Sequence, residues 1–138
     1  MRLVVGAVIV DSLAQPTRVL AARRTRPAEL AGSWEFPGGK VEDGEAPEAA
    51  LVREVREELS AQVRVGPELT DAGRAWPISE RHELRLWLAE VVEGELTPGS
   101  DHDEVRWLAA EELGDVAWLP SDLRAIPQVS LAMRSITE

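Results

Sequence analysis

The chain has 138 residues, 44% of them hydrophobic, which fits one compact domain over residues 1–138. Its formal net charge of -10 at pH 7 argues against a nucleic-acid polymer as partner, because such binding needs a basic face. It has no cysteine, which excludes disulfides and thiolate metal sites and favours a reducing, cytoplasmic location.

The N-terminal third predicts two strands separated by a turn. Leu3–Val10 is nearly continuous apolar sequence, too short to span a bilayer, so we expect a buried strand rather than a signal peptide or membrane anchor. A turn at Gln15–Thr17 leads to a second strand at Arg18–Ala22, and the basic loop Arg23–Pro27 follows. Pro37–Gly39 predicts a sharp turn of the chain.

The clearest helix prediction is Ala46–Leu59, where Pro47 suits the first turn and alanine and leucine favour the interior. The remaining predicted elements are, in chain order, strands near Val63–Ala75 and Glu83–Val92 joined across Pro77, a short helix at Ala109–Leu113, and a helix from Ser121 toward Met133. Strands interleaved with helices predict the α/β class with a mixed sheet.

An acidic edge runs along the predicted helix, beside the apolar face that contains Leu51. It holds Glu54, Glu57 and Glu58, and like-charged pairs at this spacing cost roughly 0.2–0.5 kcal/mol each in an isolated helix. A hard divalent cation would remove this repulsion and take the oxygens as ligands. The alternative is a solvent-exposed helix face with salt bridges, because Arg53 lies four residues before Glu57 and could pair with it.

Residues 39–61 resemble the signature of the Nudix hydrolases: a glycine, five residues, a glutamate, seven residues, then Arg-Glu-apolar-any-Glu-Glu. The matching positions here are Gly39, Glu45, Arg53, Glu54, Val55, Glu57 and Glu58. Upstream, Trp34–Glu42 is similar to the MutT-like branch, which includes CTP pyrophosphohydrolase-like members. The resemblance implies the Nudix fold, an α/β/α sandwich around a mixed β-sheet.

The end of the signature departs from the family pattern. A glycine and a bulky apolar residue are expected there, whereas this chain has Ser60 and Ala61. Glycine would take the left-handed conformation that ends a helix; serine does so at a cost of about 1 kcal/mol, or the turn changes shape. The carboxylates one turn earlier should keep their places.

The resemblance also implies a metal site for Mg²⁺, with Mn²⁺ as the alternative ion. The expected ligands are Glu54, Glu57, Glu58, Asp101 and the backbone carbonyl of Gly38. Arg53 is expected to orient the carboxylates and Glu45 to brace the loop before the helix. Asp101 is also the expected general base, with Asp103 and Glu104 as neighbours that could replace it.

Basic residues must offset the remaining phosphate charge of the substrate. Arg24 matches a phosphate-contacting arginine of MutT relatives, and Arg23, Lys40 and Arg81 are further candidates. Ordinary surface charge is the alternative for Arg81. By resemblance, the reaction converts a nucleoside triphosphate to a monophosphate and pyrophosphate.

The nucleobase is the least determined part of the substrate. Asp122 stands where MutT relatives place an asparagine that reads 8-oxoguanine, and an ionised aspartate only accepts hydrogen bonds. It would suit the exocyclic amine of cytosine, so (d)CTP, 5-methyl-(d)CTP and 8-oxo-dGTP all stay open, with cytosine favoured. The alternative for Asp122 is a helix N-terminal residue favoured by the dipole. We expect His102 to be a loop residue without chemistry.

Three other functions remain open from the sequence. They are hydrolysis of another nucleoside diphosphate derivative, a catalytically silent nucleotide-binding module, and a plain acidic interaction domain. A small-molecule nucleoside triphosphate is the expected partner, with no membrane association. Whether the protein is a monomer or a homodimer is left open.

Overall fold

Two β-sheets lie at the centre of the fold, which the computed structural model describes for residues 1–70 and 74–134. The strands are β1 (Arg2–Ile9), β2 (Arg18–Arg24), β3 (Trp34–Glu35), β4 (Gly38–Lys40), β5 (Gln62–Glu68), β6 (Trp76–Pro77), β7 (His82–Glu93) and β8 (His102–Ala109). The α-helices are α1 (Pro47–Leu59), α2 (Pro120–Leu123) and α3 (Ile126–Arg134), with 3-10 turns at Ala28–Leu30 and Ala110–Asp115.

The larger sheet is mixed and has the order β4-β1-β7-β5, with β6 paired to β7. β1 and β7 run parallel, whereas β4 and β5 pair antiparallel to their neighbours. The predicted turn at Pro37–Gly39 is wrong, because Gly38 and Gly39 form β4 opposite Gly6 and Val5. A Cβ at Gly38 would lie 1.9 Å from the carbonyl oxygen of Val5, so the close strand approach requires glycine.

The smaller sheet is antiparallel, with the order β3-β2-β8. It joins the larger sheet through the bridge between Val10 and Val19. Strand β8 was not predicted, because its exposed residues interrupt the apolar pattern and leave only His102 and Leu108 buried. The smaller sheet brings the start of β8 beside the end of β2.

Alternate residues of β1 face two separate cores, because successive side chains of a strand point to opposite faces. Val5, Ala7 and Ile9 pack against α1, whose buried residues are Ala50, Leu51, Val55 and Leu59. Val8 and Val10 pack in the second core with α3, which contributes Val129 and Met133. The predicted α/β/α sandwich around a mixed sheet is therefore confirmed.

The predicted helix at Ala46–Leu59 is confirmed, and Ser60 ends it in the left-handed region with φ 60° and ψ 28°. The strand predicted at Val63–Ala75 is too long, since β5 ends at Glu68 and residues 71–73 lie outside the described ones.

The C-terminal helix predicted from Ser121 is two helices, α2 and α3. Pro127 lacks a backbone N–H and would clash with a continuous preceding turn. Within residues 1–70 and 74–134, no helix is long and apolar enough to cross a membrane.

Candidate active site

The glycines of β4 make room for a carboxylate of α1. A Cβ on Gly39 would lie 2.4 Å from the carboxyl carbon of Glu54, so only glycine leaves that carboxylate its present place. Burial raises the pKa of Glu54 above its usual value, although Arg53 opposes this effect. Gly39 therefore allows an acidic side chain of α1 to lie against the sheet.

Arg53 binds the acidic groups on both sides of the helix start. Its Nε donates to Oε2 of Glu45 at 2.8 Å, and its Nη1 donates to Glu54 at 3.0 Å and to Glu57 at 3.1 Å. Its Nη2 reaches the backbone carbonyl of Lys40 at 3.1 Å. These bonds raise the pKa of Arg53, and the bond from Arg53 lowers the pKa of Glu45. One guanidinium thus fixes the loop and two carboxylates together.

Glu58 has a buried carboxylate oxygen, Oε2, without any hydrogen-bond partner. Burial raises the pKa of this carboxyl to about 9, with the charges of Glu35, Glu54 and Asp101 as further causes. An ionised buried carboxylate among other carboxylates is unfavourable, so the group takes up either a proton or a cation. The donor set, all hard oxygens at this point, fits a divalent ion such as Mg²⁺.

A group that could hold a metal includes Glu35, which the sequence did not single out, and His102, which was expected to have no chemistry. One oxygen each of Glu35 and Glu58 and a ring nitrogen of His102 lie within 4.8 Å of one another. Glu57, by contrast, is half exposed and contacts Arg53. Within the described residues, Glu35 and Glu58 therefore meet where α1, β3 and the start of β8 come together.

Asp101 lies in the loop between β7 and β8, close enough for its charge to raise the pKa of Glu58. Its Oδ1 accepts a 2.5 Å hydrogen bond from Nε of Arg26. The loop is held against the end of α1, because the N–H of Gly99 donates to the carbonyl of Glu58 at 2.9 Å. The structure thus places Asp101 near the end of the acidic helix, paired with Arg26.

A cleft of about 210 Å³ opens beside these carboxylates. Its lining includes Val4, Val5, Gly6, Arg24, Glu35, Phe36, Gly38, Gly39, Lys40, Ile78, Leu84, Ser121 and Asp122. Asp122 is buried, and burial followed by the charge of Glu35 raises its pKa well above the usual value. The backbone of Phe36 and the charge of Arg24 oppose this rise in the pKa. The cleft has a carboxyl group at one end and the glycine strand β4 along its wall.

The structure separates the four predicted phosphate-binding residues into two groups. Arg24 and Lys40 line the cleft. Arg23, next to Arg24 on β2, does not line the cleft, and its Nε donates to Asp103 at 2.8 Å. Arg81 lies in the turn before β7, and its side chain does not line the cleft.

Sequence reasoning missed Glu35 and misjudged His102. His102 is the buried first residue of β8 rather than a loop residue, and its Nε2 lies 2.8 Å from Oε2 of Glu35. Glu35 is a charged residue between buried Trp34 and Phe36, directly before the glycine strand. That isolated charge in an apolar segment was the available signal.

Comparisons with known proteins identify the family of the chain. A family model for the NUDIX domain matches residues 1–129. A Mycobacterium tuberculosis protein, provisionally named 8-oxo-dGTP diphosphatase 2, is 39% identical over 122 residues, covering 83% of this chain and 81% of its own length. The CTP pyrophosphohydrolase of Escherichia coli is 34% identical over 119 residues, covering 86% and 85%.

The fold is likewise similar to a solved structure. The solution structure of the Escherichia coli ORF135 protein matches with a TM-score of 0.75 and 30% identity, covering 98% of this chain and 91% of that one. The family model spans nearly the whole chain, and the signature residues lie on β4, on α1 and in the loop between them. The chain belongs to the Nudix hydrolases, in their MutT-like branch.

Proposed function

We propose that this Nudix hydrolase is a Mg²⁺-dependent pyrophosphohydrolase that converts a nucleoside triphosphate to a nucleoside monophosphate and pyrophosphate. The observation that carries the proposal is the buried, unpaired oxygen of Glu58 among further carboxylates, beside a cleft that Arg24 and Lys40 line. Acidic groups alone would repel a polyphosphate, so a bridging cation is needed. The role is the sanitising of the nucleotide pool, in the cytoplasm.

The proposed metal ligands are Glu54, Glu57, Glu58, Asp101 and the backbone carbonyl of Gly38, with Mn²⁺ as an alternative ion. A divalent ion held there would polarise the phosphate chain and lower the pKa of an attacking water. The unpaired oxygen of Glu58 and the seat of Glu54 on Gly39 support this set. Arg53 orients the carboxylates through its hydrogen bonds to Glu54 and Glu57.

The chain's own side chains mainly bind and orient the substrate, because phosphoryl transfer depends on positioning and charge neutralisation. Arg24 and Lys40 bind phosphate oxygens at the cleft, whereas Arg23 and Arg81 are left out of this contact set. Asp101 removes the proton from the attacking water, and its closeness to the acidic edge of α1 supports this role.

Cytosine nucleotides are the favoured substrates, meaning (d)CTP and 5-methyl-(d)CTP. An ionised Asp122 accepts a hydrogen bond from the exocyclic amine of cytosine but opposes the O6 acceptor of 8-oxoguanine. The burial of Asp122 within the cleft supports its role as the base-reading residue.

The second candidate substrate is 8-oxo-dGTP, and the raised pKa of Asp122 favours it. A protonated carboxyl has both a donor and an acceptor, which match O6 and N7–H of 8-oxoguanine. One relative is named for 8-oxo-dGTP and another for CTP, so both substrates remain candidates.

The test is a substrate panel with and without Mg²⁺, read by chromatography of the nucleotides and by ³¹P NMR of the released phosphate species. The panel contains (d)CTP, 5-methyl-dCTP, 8-oxo-dGTP, the ordinary triphosphates, and sugar and dinucleotide diphosphates. We expect Mg²⁺-dependent release of pyrophosphate, fastest from cytosine nucleotides. A folded protein that hydrolyses no triphosphate would instead be a silent binding module, and one that cleaves only the diphosphate derivatives would be a hydrolase of those compounds.

A further inference from the structure

Glu35 is held by two donors that converge on a single oxygen. Nε2 of His102 lies 2.8 Å from Oε2 of Glu35, and Nη1 of Arg24 lies 2.9 Å from the same atom. Because a carboxylate oxygen only accepts, Nε2 of His102 must carry the hydrogen. Within the described residues, no hydrogen bond involves Oε1 of Glu35, so the second oxygen of this cleft-lining residue is available to a ligand.

His102 is fully enclosed, and its other ring nitrogen, Nδ1, is buried without a hydrogen-bond partner. A buried polar atom without a partner costs free energy, and an apolar side chain of similar size would avoid that cost. The imidazole therefore makes one polar contact within the described part of the chain, and that contact is with Glu35. This arrangement indicates that the role of His102 in the site is its hydrogen bond to Glu35.

Glu35 lies between the two ends of the site. Its charge contributes to the raised pKa of Glu58 on the metal side and to that of Asp122 at the base end of the cleft. One oxygen each of Glu35 and Glu58 and one ring nitrogen of His102 lie within 4.8 Å of one another. A shift of Glu35 would alter the nucleoside end of the cleft, whereas Glu54 and Glu57 are held separately by Arg53.

We propose that His102 is a positioning residue, which together with Arg24 holds Glu35 so that its free oxygen accepts a hydrogen bond from the nucleoside. This inference rests on the proposed function, because it describes how the same cleft binds the nucleoside part of the substrate. His102 itself touches no substrate atom. Its loss lets Glu35 rotate, which weakens nucleoside binding more than it slows turnover.

Two substitutions separate the hydrogen bond from the volume of the side chain. His102→Leu fills much of the space but removes the donor, whereas His102→Gln keeps an N–H donor the same number of bonds from Cα. For the best cytosine nucleotide we expect His102→Leu to raise KM about tenfold or more with kcat within about threefold. His102→Gln should restore KM to within about threefold of the wild type.

The second histidine of the chain provides a matched control. His82 bonds to Ser79 through Nδ1 at 3.0 Å and does not line the cleft. His82→Leu should leave KM unchanged. In a double-mutant cycle, His102→Leu should have an effect of less than about twofold on KM when Glu35 is already glutamine. A full effect of His102→Leu in the Glu35→Gln background would overturn the inference.

Binding of CMP without metal, measured by isothermal titration calorimetry, provides a readout that does not depend on turnover. We expect His102→Leu to weaken CMP binding about tenfold and His102→Gln to weaken it less than about threefold. Hydrolysis with unchanged KM and unchanged CMP affinity in His102→Leu overturns the inference and leaves the proposed function standing. If CMP binding depends on His102 in a protein that hydrolyses no triphosphate, the inference stands and the proposed function is overturned.

Thermal unfolding of each variant shows whether it is folded. If His102→Leu does not fold, Glu35→Gln with the histidine intact takes its place in the CMP measurement. Glu35→Gln must then weaken CMP binding by about tenfold, and an unchanged affinity overturns the inference.

Discussion

Arg53 ties the loop before α1 to its helix through Glu45, whose Oε2 accepts a 2.8 Å hydrogen bond from Nε of the arginine. The remaining nitrogens of the same guanidinium reach Glu54, Glu57 and the carbonyl of Lys40. One planar cation therefore sets the distance between the glycine strand and the acidic edge of α1. A lysine has a single nitrogen and cannot make these bonds together.

Arg53→Lys should consequently lower turnover and Mg²⁺ affinity by roughly 10–100-fold, because loss of a group that orients metal ligands has effects of this size. The measurement is kcat against Mg²⁺ concentration on the best triphosphate of the panel. Arg64→Lys is the control, since Arg64 pairs with Glu90 away from the cleft. Equal effects of the two substitutions would contradict this role for Arg53.

Glu57→Gln keeps the shape of a proposed metal ligand and removes its charge. We expect turnover to fall by on the order of 10³-fold, because the lost charge stabilisation at a metal centre amounts to several kcal/mol. The melting temperature should hardly change, since the side chain is half exposed. Glu48→Gln on the same helix serves as the control. Turnover of Glu57→Gln within about tenfold of the wild type would remove Glu57 from the ligand set.

Glu58 makes the stability of the metal-free protein depend on pH. Its pKa is about 9 in the fold and 4.5 in an ordinary environment, so the folded state binds the proton more tightly. The contribution to stability is therefore complete below about pH 4.5 and is lost as pH rises to about 9. Glu58→Gln removes this slope, and its melting temperature should exceed that of the wild type increasingly toward pH 9.

The same measurement with Mg²⁺ tests the metal assignment. A cation requires the ionised carboxylate, so Mg²⁺ should raise the melting temperature of the wild type most at high pH. It should stabilise Glu58→Gln far less. Parallel pH curves for the two proteins in EDTA would show that Glu58 has an ordinary pKa and that the site is not built around it.

The acidic helix and its loop could be predicted from the sequence because their determinants are local. Helical spacing alone places Glu54, Glu57 and Glu58 on one edge of the helix. The preceding glycines are visible in the sequence itself. For the end of the helix the sequence leaves two outcomes open, a left-handed serine or a turn of changed shape, and the structure shows the first at Ser60.

Contacts between residues that are far apart in the chain could not be predicted from the sequence. Glu35 and His102 meet only because β8 pairs with β2 and β2 with β3, a register that no local pattern records. That Arg24 lines the cleft and Arg23 does not likewise depends on how β2 meets the cleft. Local spacing thus places the acidic edge of α1, whereas the contact between Glu35 and His102 needed the tertiary structure.

Asp122→Asn should shift base preference, because an amide has a donor as well as an acceptor and stays neutral when buried. We expect the ratio of kcat/KM for 8-oxo-dGTP over dCTP to rise at least about tenfold, the size of one changed hydrogen bond in a closed pocket. The two substrates should be compared in one competition assay. Asp115→Asn, at an exposed position, is the control, and an unchanged ratio would exclude Asp122 as the base-reading residue.

Ser60→Gly should stabilise the protein without changing its activity. Ser60 has φ 60° and ψ 28°, a left-handed conformation that costs a residue with a Cβ about 1 kcal/mol or more. Glycine relieves this cost but gains entropy in the unfolded state, so the net increase in the free energy of unfolding should be about 0.5–1 kcal/mol. Ser60→Ala keeps the Cβ and should give no such increase. Urea unfolding compares the variants, and equal midpoints for glycine and alanine would mean that Ser60 carries no backbone strain.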